Sequence, residues 1–446
     1  MPSLDTTQKL SLTAAQIEFW DAAQQLNPPS AISYAAEYVE IRGAILPNLF
    51  EQALRQVIQE SDTLQVRFVN DFEKPLQFID YTSRTWKLPF FDLSEEQKSR
   101  EIAVTWMEKS VSQALDLSKA PLFTFALFKI TDDCFFWYQG YPHIMIDGFG
   151  MVLIAKRVAA VYTALVSGTE PAKCRFSPLI SLVSEDAAYH CSEQLEMDRC
   201  YWLERFRDSP KTTTLASQQL ILSRDCLPDI RKTAYISSAE TSSLYAVTKQ
   251  ALNVTLAQLI TAAVATYIHH MTGTQDVILS VVIMGRMASK ERRVPGMTAN
   301  MLPFRLKVLS TMSLYELCQQ AFQEMLLLKR HQRYRGSQLY RELISLNNAQ
   351  GTFGTEVNVM CFDYNLRFSD HTATTHNISA GTTDDIMINV TDRSDGCGLR
   401  IDFDGSPQYY TLDDLDQHLK RFLVCLKVLV CHPFQSIASL DFDSIS

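Results

Sequence analysis

The chain has 446 residues, 46% of them hydrophobic, which is enough for two or three ordinary domains or for one large two-lobed unit. Its 41 basic and 50 acidic side chains give a formal net charge of −9. A protein of this sign has no general electrostatic attraction to phosphate backbones, so we do not expect nucleic-acid binding.

Short sequence signals exclude several further classes. Residues 1–10 lack a basic region followed by an apolar run, and no stretch reaches the roughly 18 apolar residues that span a bilayer, so we expect a soluble, cytoplasmic chain. The 10 cysteines form no C-x-x-C pair and the 9 histidines show no metal-ligand spacing with them, which indicates free thiols and no metal site. The nucleotide-binding glycine motifs and G-x-S-x-G are absent, so neither a nucleotide cofactor nor a serine nucleophile is expected.

Apolar periodicity in the first part of the chain predicts alternating helices and strands. In chain order they are helix 11–26, strand 35–42, helix 46–59, strand 64–68, helix 94–117, strands 122–130 and 134–138, and helix 151–166. The polar segment 167–178 contains Pro and Gly without periodicity, which is typical of a boundary. We therefore predict an N-terminal lobe at 1–175 and a C-terminal lobe at 176–446.

The second part repeats the same mixture of elements. The predicted order is helix 184–205, a polar connector at 207–233, helices 241–251 and 255–271, strand 276–284, helix 314–330, strands 356–363, 385–390 and 399–403, and helix 412–431. Strand 276–284 is continuously apolar, as in strands buried on both faces. Both halves are thus predicted to be α/β lobes of similar construction.

The stretch most specific for chemistry surrounds His143. This residue follows strand 134–138 and a glycine-containing turn, and it precedes a helix. An imidazole can take a proton from a nucleophile and release it again near neutral pH. Asp147, four residues later, either polarises this imidazole or pairs with a cation to hold the turn. A lone His after an apolar strand is more often structural than catalytic, so the spacing alone leaves both roles open.

Residues 142–148 resemble the active-site motif H-H-x-x-x-D-G of the condensation domains of nonribosomal peptide synthetases, which belong to the chloramphenicol-acetyltransferase-like superfamily. His143, Asp147 and Gly148 match the second His, the Asp and the Gly, whereas Pro142 replaces the first His. In that family the second His is the catalytic one. The resemblance therefore implies that His143 is catalytic and that Asp147 and Gly148 support the site.

Two later segments also resemble the family. Arg286 follows strand 276–284, where the family has an arginine that pairs with the motif Asp, so the resemblance implies an ion pair between Arg286 and Asp147. From the residues alone, a solvent-exposed Arg286 at the end of a strand is as good an interpretation as an ion pair with Asp147. Asn300 begins a match to N-x-x-P-x-R and would be a polar group near the cleft or on its acceptor side. These matches appear in family order over nearly the whole chain.

The resemblance implies two chloramphenicol-acetyltransferase-like lobes in tandem, forming a V-shaped pseudo-dimer. It also implies amide formation between an acyl thioester on an upstream donor carrier protein and an aminoacyl group on a downstream acceptor carrier. The phosphopantetheine arms of those carriers would be substrates, and no cofactor would stay bound. The resemblance further implies an adenylation domain in the same assembly line. It implies no metal site, and we expect the chain to be a monomer.

The segments around His143, Asn300 and His331 are most similar to N-terminal condensation domains of enterobactin-type siderophore synthetases. This likeness suggests a first-step domain with an aryl or other acyl donor. Three alternatives stay open, of which an epimerisation or cyclisation relative is the least favoured, because the cyclisation class has Ser at the position of Gly148. An acyltransferase of the same superfamily would use a soluble amine or alcohol acceptor, and a catalytically silent carrier-docking domain would agree with Pro142 in the motif.

Overall fold

The computed structural model describes residues 8–25, 33–71, 74–80, 86–113, 115–216, 229–347, 354–361, 365–392, 396 and 398–442. The chain divides into two compact units, each built from three stretches. The first unit contains Met1–Cys191, Arg286–Ala299 and Tyr364–Gly381, and the second contains Ser192–Gly285, Asn300–Asp363 and Thr382–Ser446. The sequence predicts consecutive lobes at 1–175 and 176–446, whereas two later segments return to the first unit.

The first unit is built on a six-stranded sheet with the order β12-β13-β2-β7-β6-β5. Its strands are β2 (Tyr34–Arg42), β5 (Phe90–Asp92), β6 (Thr124–Thr131), β7 (Cys134–Pro142), β12 (Arg367–Phe368) and β13 (His371–Ala380). Among its described strands, β5 and β6 pair in parallel and the other neighbours are antiparallel. A smaller sheet has the order β1-β4-β3, from β1 (Gln8–Ser11), β3 (Val66–Asp71) and β4 (Lys74–Ile79).

Strand β7 lies at the centre of this unit, and all nine of its residues are buried. Phe136 and Tyr138 face the core under α3 (Ser99–Val111), together with Met107 of that helix. Trp137 points to the other face, where its ring lies 5.5 Å from the ring of Phe50 in α2 (Pro47–Glu60). Burial on both faces explains why the sequence of β7 is apolar without alternation.

The remaining helices of this unit are α1 (Ala14–Gln25), α4 (Gly148–Val166) and α5 (Ile180–His190). Helix α4 is long and apolar enough to cross a membrane, whereas the sequence analysis expected no apolar stretch of that length. Half of it is nevertheless buried inside the unit. Arg157, at its middle, donates to both carboxylate oxygens of Glu60 at 2.6 Å. Buried apolar faces and a paired charge are what a core helix of a globular unit shows.

The second unit contains another six-stranded sheet, ordered β10-β9-β11-β14-β15-β8. Its strands are β8 (Ile230–Ile236), β9 (Asp276–Ile283), β10 (Asn300–Lys307), β11 (Glu356–Met360), β14 (Ile386–Asp392) and β15 (Leu399–Gly405). β11 runs parallel to both of its neighbours, and the other pairs are antiparallel. The helices are α6 (Glu193–Arg205), α7 (Ser238–Ala246), α8 (Leu256–Thr272), α9 (Leu314–Arg330), α10 (Gly336–Asn347) and α11 (Leu412–Cys431).

Most predicted elements are present, and the differences have local causes. The predicted helix 94–117 is shorter, Ser99–Val111, and beyond its end the carbonyl of Leu117 accepts a hydrogen bond from the N–H of Phe68 in β3 at 2.7 Å. Helix 184–205 is two helices that break at residues 191–192. The connector 207–233 contains the start of β8, and its residues 217–228 lie outside the described residues, as do residues 362–363 of predicted strand 356–363.

Candidate active site

His143 lies in the turn that joins β7 to α4. Its N–H donates to the carbonyl of Ser33 at 2.8 Å, which extends the antiparallel pairing of β7 with β2 by one residue. Pro142 is the last residue of β7, where a missing N–H costs no interior ladder bond. The Pro142 carbonyl accepts from the N–H of Met145 at 2.9 Å and closes the turn. The proline is thus accommodated without opening the structure around His143.

The imidazole of His143 is enclosed by elements from three parts of the chain. The ring of Phe19 in α1 stacks on it, with centroids 5.3 Å apart and an interplanar angle of 12°. Nδ1 is buried and makes no hydrogen bond of good geometry with a described residue. Gly381, just after β13, lies next to the Cδ2–Nε2 edge of the ring. The residue as a whole stays partly accessible to solvent.

The surroundings of His143 favour a neutral imidazole. Burial lowers the pKa of His143 below its ordinary value of 6.5, and the negative charge of Asp147 together with the backbone carbonyl of Ala380 offsets this only in part. A neutral ring has a free lone pair and can accept a proton at neutral pH. The lowered pKa therefore favours the form of the ring that can act as a base.

Asp147 caps the N-terminus of α4 and holds the turn. One carboxylate oxygen, Oδ1, accepts from the N–H of Gly150 at 2.9 Å. The other, Oδ2, accepts from Nη1 of Arg286 at 2.7 Å, from the N–H and hydroxyl of Thr298 at 3.0 and 3.1 Å, and from the N–H of Ala299 at 3.1 Å. Burial alone would raise the pKa of Asp147, but Arg286 and these donors hold it below its ordinary value.

Arg286 is completely buried and anchors the returning segment Arg286–Ala299 to this turn. Besides Asp147, its guanidinium donates through Nη2 to the carbonyls of Gly296 at 2.6 Å and Val294 at 3.3 Å. It also lies 5.1 Å from the ring centroid of Phe149. The ion pair implied by the resemblance is present. Because both oxygens of Asp147 are occupied in this way, the contacts favour its turn-holding role over polarisation of the imidazole.

Comparison with known proteins decides the family. The model of the condensation-domain family matches residues 6–444. The chain belongs to the condensation-domain family. It is 42% identical over 417 residues to a dimodular nonribosomal peptide synthase of Bacillus subtilis, covering 94% of this chain and 17% of that protein. Over 438 residues it is 28% identical to enterobactin synthase component F of Escherichia coli strain K12, covering 98% of this chain and 33% of that protein.

Solved structures support the same assignment. A crystal structure of the starter condensation domain of rhizomide synthetase, a mutant in complex with C8-CoA, is 39% identical, with a TM-score of 0.89 over 97% of this chain and 98% of that chain. The first condensation domain of the calcium-dependent antibiotic synthetase is 30% identical, with a TM-score of 0.89 over 97% and 99%. These likenesses confirm the predicted α/β class with its two chloramphenicol-acetyltransferase-like sheets. The condensation domain spans a third or less of the curated synthetases named above.

The other predicted site residues of this condensation domain have clear structural settings. Gly148 is the first residue of α4, directly after the Asp147 cap. Asn300 begins β10 in the second unit and is buried. Its side-chain amide donates to the carbonyls of Gln332 at 2.9 Å and Tyr334 at 2.8 Å, and its oxygen accepts from the N–H of Gly336 at 3.1 Å. These contacts hold the loop before α10, and a place for Asn300 near the cleft stays a prediction.

Sequence reasoning missed three residues of the site. Phe19 stacks on the imidazole, Thr298 donates twice to Asp147, and Gly381 borders the ring edge. They are far from His143 in the chain and belong to no motif that names them. Among the described residues, no group of three or more His, Cys, Asp or Glu side chains is arranged to bind a metal ion.

Proposed function

We propose that this condensation domain joins a carrier-bound acyl thioester to the amine of a carrier-bound aminoacyl group, with His143 as the proton acceptor. The amine nitrogen attacks the thioester carbonyl, so that a C–N bond forms and the C–S bond breaks. The proton lost by the amine passes to the imidazole and from there to the departing thiolate. Atoms and charge balance without a covalent acyl-enzyme.

The observation that carries this proposal is the placement of His143. Phe19 stacks on its ring and Gly381, just after the strand that ends at Ala380, lies beside it, while burial lowers its pKa and so favours the neutral form. The turn below it is fixed by Asp147 and Arg286. A positioned base of this kind is typically worth about 10²–10⁴-fold in rate. Alignment of the two reactants supplies several further kcal/mol, about 7–11 at most for well-oriented groups.

The donor is proposed to be an acyl group without an amino group, so that the domain would act at the first step of an assembly. Two likenesses support this proposal. One is to a starter condensation domain crystallised with C8-CoA, and the other is to enterobactin synthase component F. The donor would be a fatty-acyl or aryl-acyl thioester. The phosphopantetheine arms of an upstream and a downstream carrier would bring both substrates, in a cytoplasmic assembly that contains an adenylation domain.

The experiment uses the purified chain, a donor carrier protein loaded in turn with octanoyl, aryl and aminoacyl groups, and an acceptor carrier loaded with an amino acid. Intact-protein mass spectrometry follows both carriers with time. We expect the mass of the acceptor to increase by the acyl group for octanoyl or aryl donors, and to do so only when both carriers are present.

The other outcomes separate the alternatives. Transfer to a free amine or alcohol, with no product on the acceptor carrier, would replace the proposal by a soluble acyltransferase. Silence with every acceptor, while the carriers still bind the chain, would identify a docking domain. Transfer from aminoacyl donors alone would refute the first-step assignment and leave condensation standing.

A further inference from the structure

Strand β13 reaches His143 from a distant part of the chain. It pairs antiparallel with β2 from Thr372 opposite Arg42 to Ala380 opposite Ala35. The pairing shifts between Asn377 and Ser379, so that one extra residue is inserted near the end of the strand. Such bulges re-aim the chain that follows them and are frequent beside active sites. Here the chain that follows the bulge is Ser379-Ala-Gly381.

An anchor in the middle of β13 fixes this register. Nε2 of His376 lies 3.3 Å from a carboxylate oxygen of Glu40, which is buried. The ring of His376 stacks on Tyr38, with centroids 4.6 Å apart and an interplanar angle of 10°. Arg100 donates to both oxygens of Glu40, at 2.7 and 3.1 Å. The end of β13 is thereby held at a defined place relative to β2 and β7.

Gly381 occupies the position where this strand meets the imidazole. A Cβ atom at residue 381 would lie 3.3 Å from Cδ2 and 3.6 Å from Nε2 of His143, and 3.0 Å from Oγ of Ser33. The backbone of Gly381 has φ +103°, which side chains rarely tolerate. The N–H of Gly381 also donates to the hydroxyl of Ser379 at 3.4 Å. The positive φ favours glycine, and an added Cβ would in addition crowd the hydroxyl of Ser33 and Cδ2 of His143.

We propose that Gly381 is a positioning residue for His143, delivered by β13, whose missing side chain keeps the Cδ2–Nε2 edge of the imidazole in place and open to the reacting amine. This inference rests on the proposed function in that the reactant is named as an amine. Because Nδ1 is buried, Nε2 is the nitrogen left to exchange a proton with a reactant. Even one methyl group at residue 381 would press on the ring or stand where that reactant approaches.

The test compares Gly381→Ala with Gly273→Ala. Gly273 ends α8 in the second unit with φ +73° and has nothing within 4 Å of a built Cβ. The control therefore also places Ala at a positive φ, without contact to the site. Two readouts are measured, the initial rate of amide formation on the acceptor carrier and the rate at which diethyl pyrocarbonate modifies His143, followed by peptide mass spectrometry.

We expect Gly381→Ala to slow amide formation by about 10- to 100-fold, mainly in kcat, since small misplacements of a catalytic group have effects of this size. Modification of His143 should slow by at least about 3-fold, while Gly273→Ala keeps both rates within about 2-fold. The chemical modification does not depend on turnover. An inactive wild type would therefore refute the proposed function and leave this inference to be judged on the modification rates alone.

Unchanged amide formation and unchanged His143 modification in a folded Gly381→Ala protein would overturn the inference. A second variant, Gly381→Asn, covers a failure of Gly381→Ala to fold, because Asn tolerates positive φ better than Ala. If both variants fail to fold while Gly273→Ala folds, Gly381 serves the backbone rather than the ring, and the positioning role is refuted.

Discussion

Asp147→Asn tests whether the buried ion pair holds the turn that carries His143. The substitution keeps the size of the side chain and an oxygen that can cap α4, since Asn is as good an N-cap as Asp. It removes the charge that faces Arg286, whose side chain is completely buried and 2.7 Å away. Breaking a buried pair from one side typically costs about 3–5 kcal/mol, because the remaining charge is left without compensation.

Arg286→Met leaves the negative charge of Asp147 without its counter-charge. Asp147 would keep its four other donors, the N–H groups of Gly150, Thr298 and Ala299 and the hydroxyl of Thr298. The carboxylate would still be buried without a counter-charge, so this variant should also cost about 3–5 kcal/mol. The double variant buries no charge in the pair. Its loss in free energy of unfolding should therefore be smaller than the sum of the two single losses, by about 2–4 kcal/mol.

Urea unfolding monitored by tryptophan fluorescence measures these energies. Four of the five tryptophans, Trp20, Trp86, Trp106 and Trp137, lie in the first unit, so their signal reports the unit that contains the pair. Glu101→Gln is the control, because Glu101 and Lys98 form an exposed pair that should contribute less than about 1 kcal/mol. A loss below about 1 kcal/mol for Asp147→Asn, or additive single costs, would refute the reasoning.

Three further predictions concern pH and the second unit. Because burial lowers the pKa of His143, the rate at which diethyl pyrocarbonate modifies this residue, which needs the neutral ring, should be flat near neutral pH and fall only below pH 6.5. A midpoint above 6.5 contradicts a neutral base. Burial raises the pKa of Glu356 to about 8, so the folded state holds an extra proton between the ordinary value of 4.5 and about 8, and stability falls as pH rises through that window. Glu356→Gln should therefore raise the melting temperature at pH 8.5, corresponding to at most about 5 kcal/mol, and change it little at pH 4; an equal effect at both pH values contradicts this. Asn300→Ala removes three hydrogen bonds to the loop at 332–336 and should destabilise the second unit by about 2–3 kcal/mol in urea unfolding, and a loss below about 0.5 kcal/mol would contradict its loop-holding role.

Much of the fold could be predicted from local sequence patterns. The apolar run of β7 and the apolar periodicity of α8, α9 and α11 each express burial inside one segment, and the predicted elements there are present. Strand β13 was missed, because its sequence His371-Thr-Ala-Thr-Thr-His-Asn-Ile-Ser-Ala380 is polar and owes its place to pairing with β2. The membership of Arg286–Ala299 in the first unit likewise depends on contacts far apart in the chain.

The candidate site divides in the same way. His143, Asp147 and Gly148 stand within six residues, so a motif reveals them together. Arg286 lies 139 residues from Asp147 and was reached only through the family resemblance. Phe19 and Gly381 contact the imidazole from positions near opposite ends of the chain. A phenylalanine in a helix, or a glycine after a polar strand, does not predict such a contact. Tertiary packing decides these positions.

The most direct test of the central claim is the single-turnover rate of amide formation for wild type and His143→Ala, with both carriers loaded and both proteins shown to be folded by circular dichroism. We predict that the variant is about 10²–10⁴-fold slower and that its remaining rate shows no break below pH 6.5, since the base has been removed. A folded His143→Ala protein within about 3-fold of wild type would show that the chemistry does not depend on this imidazole.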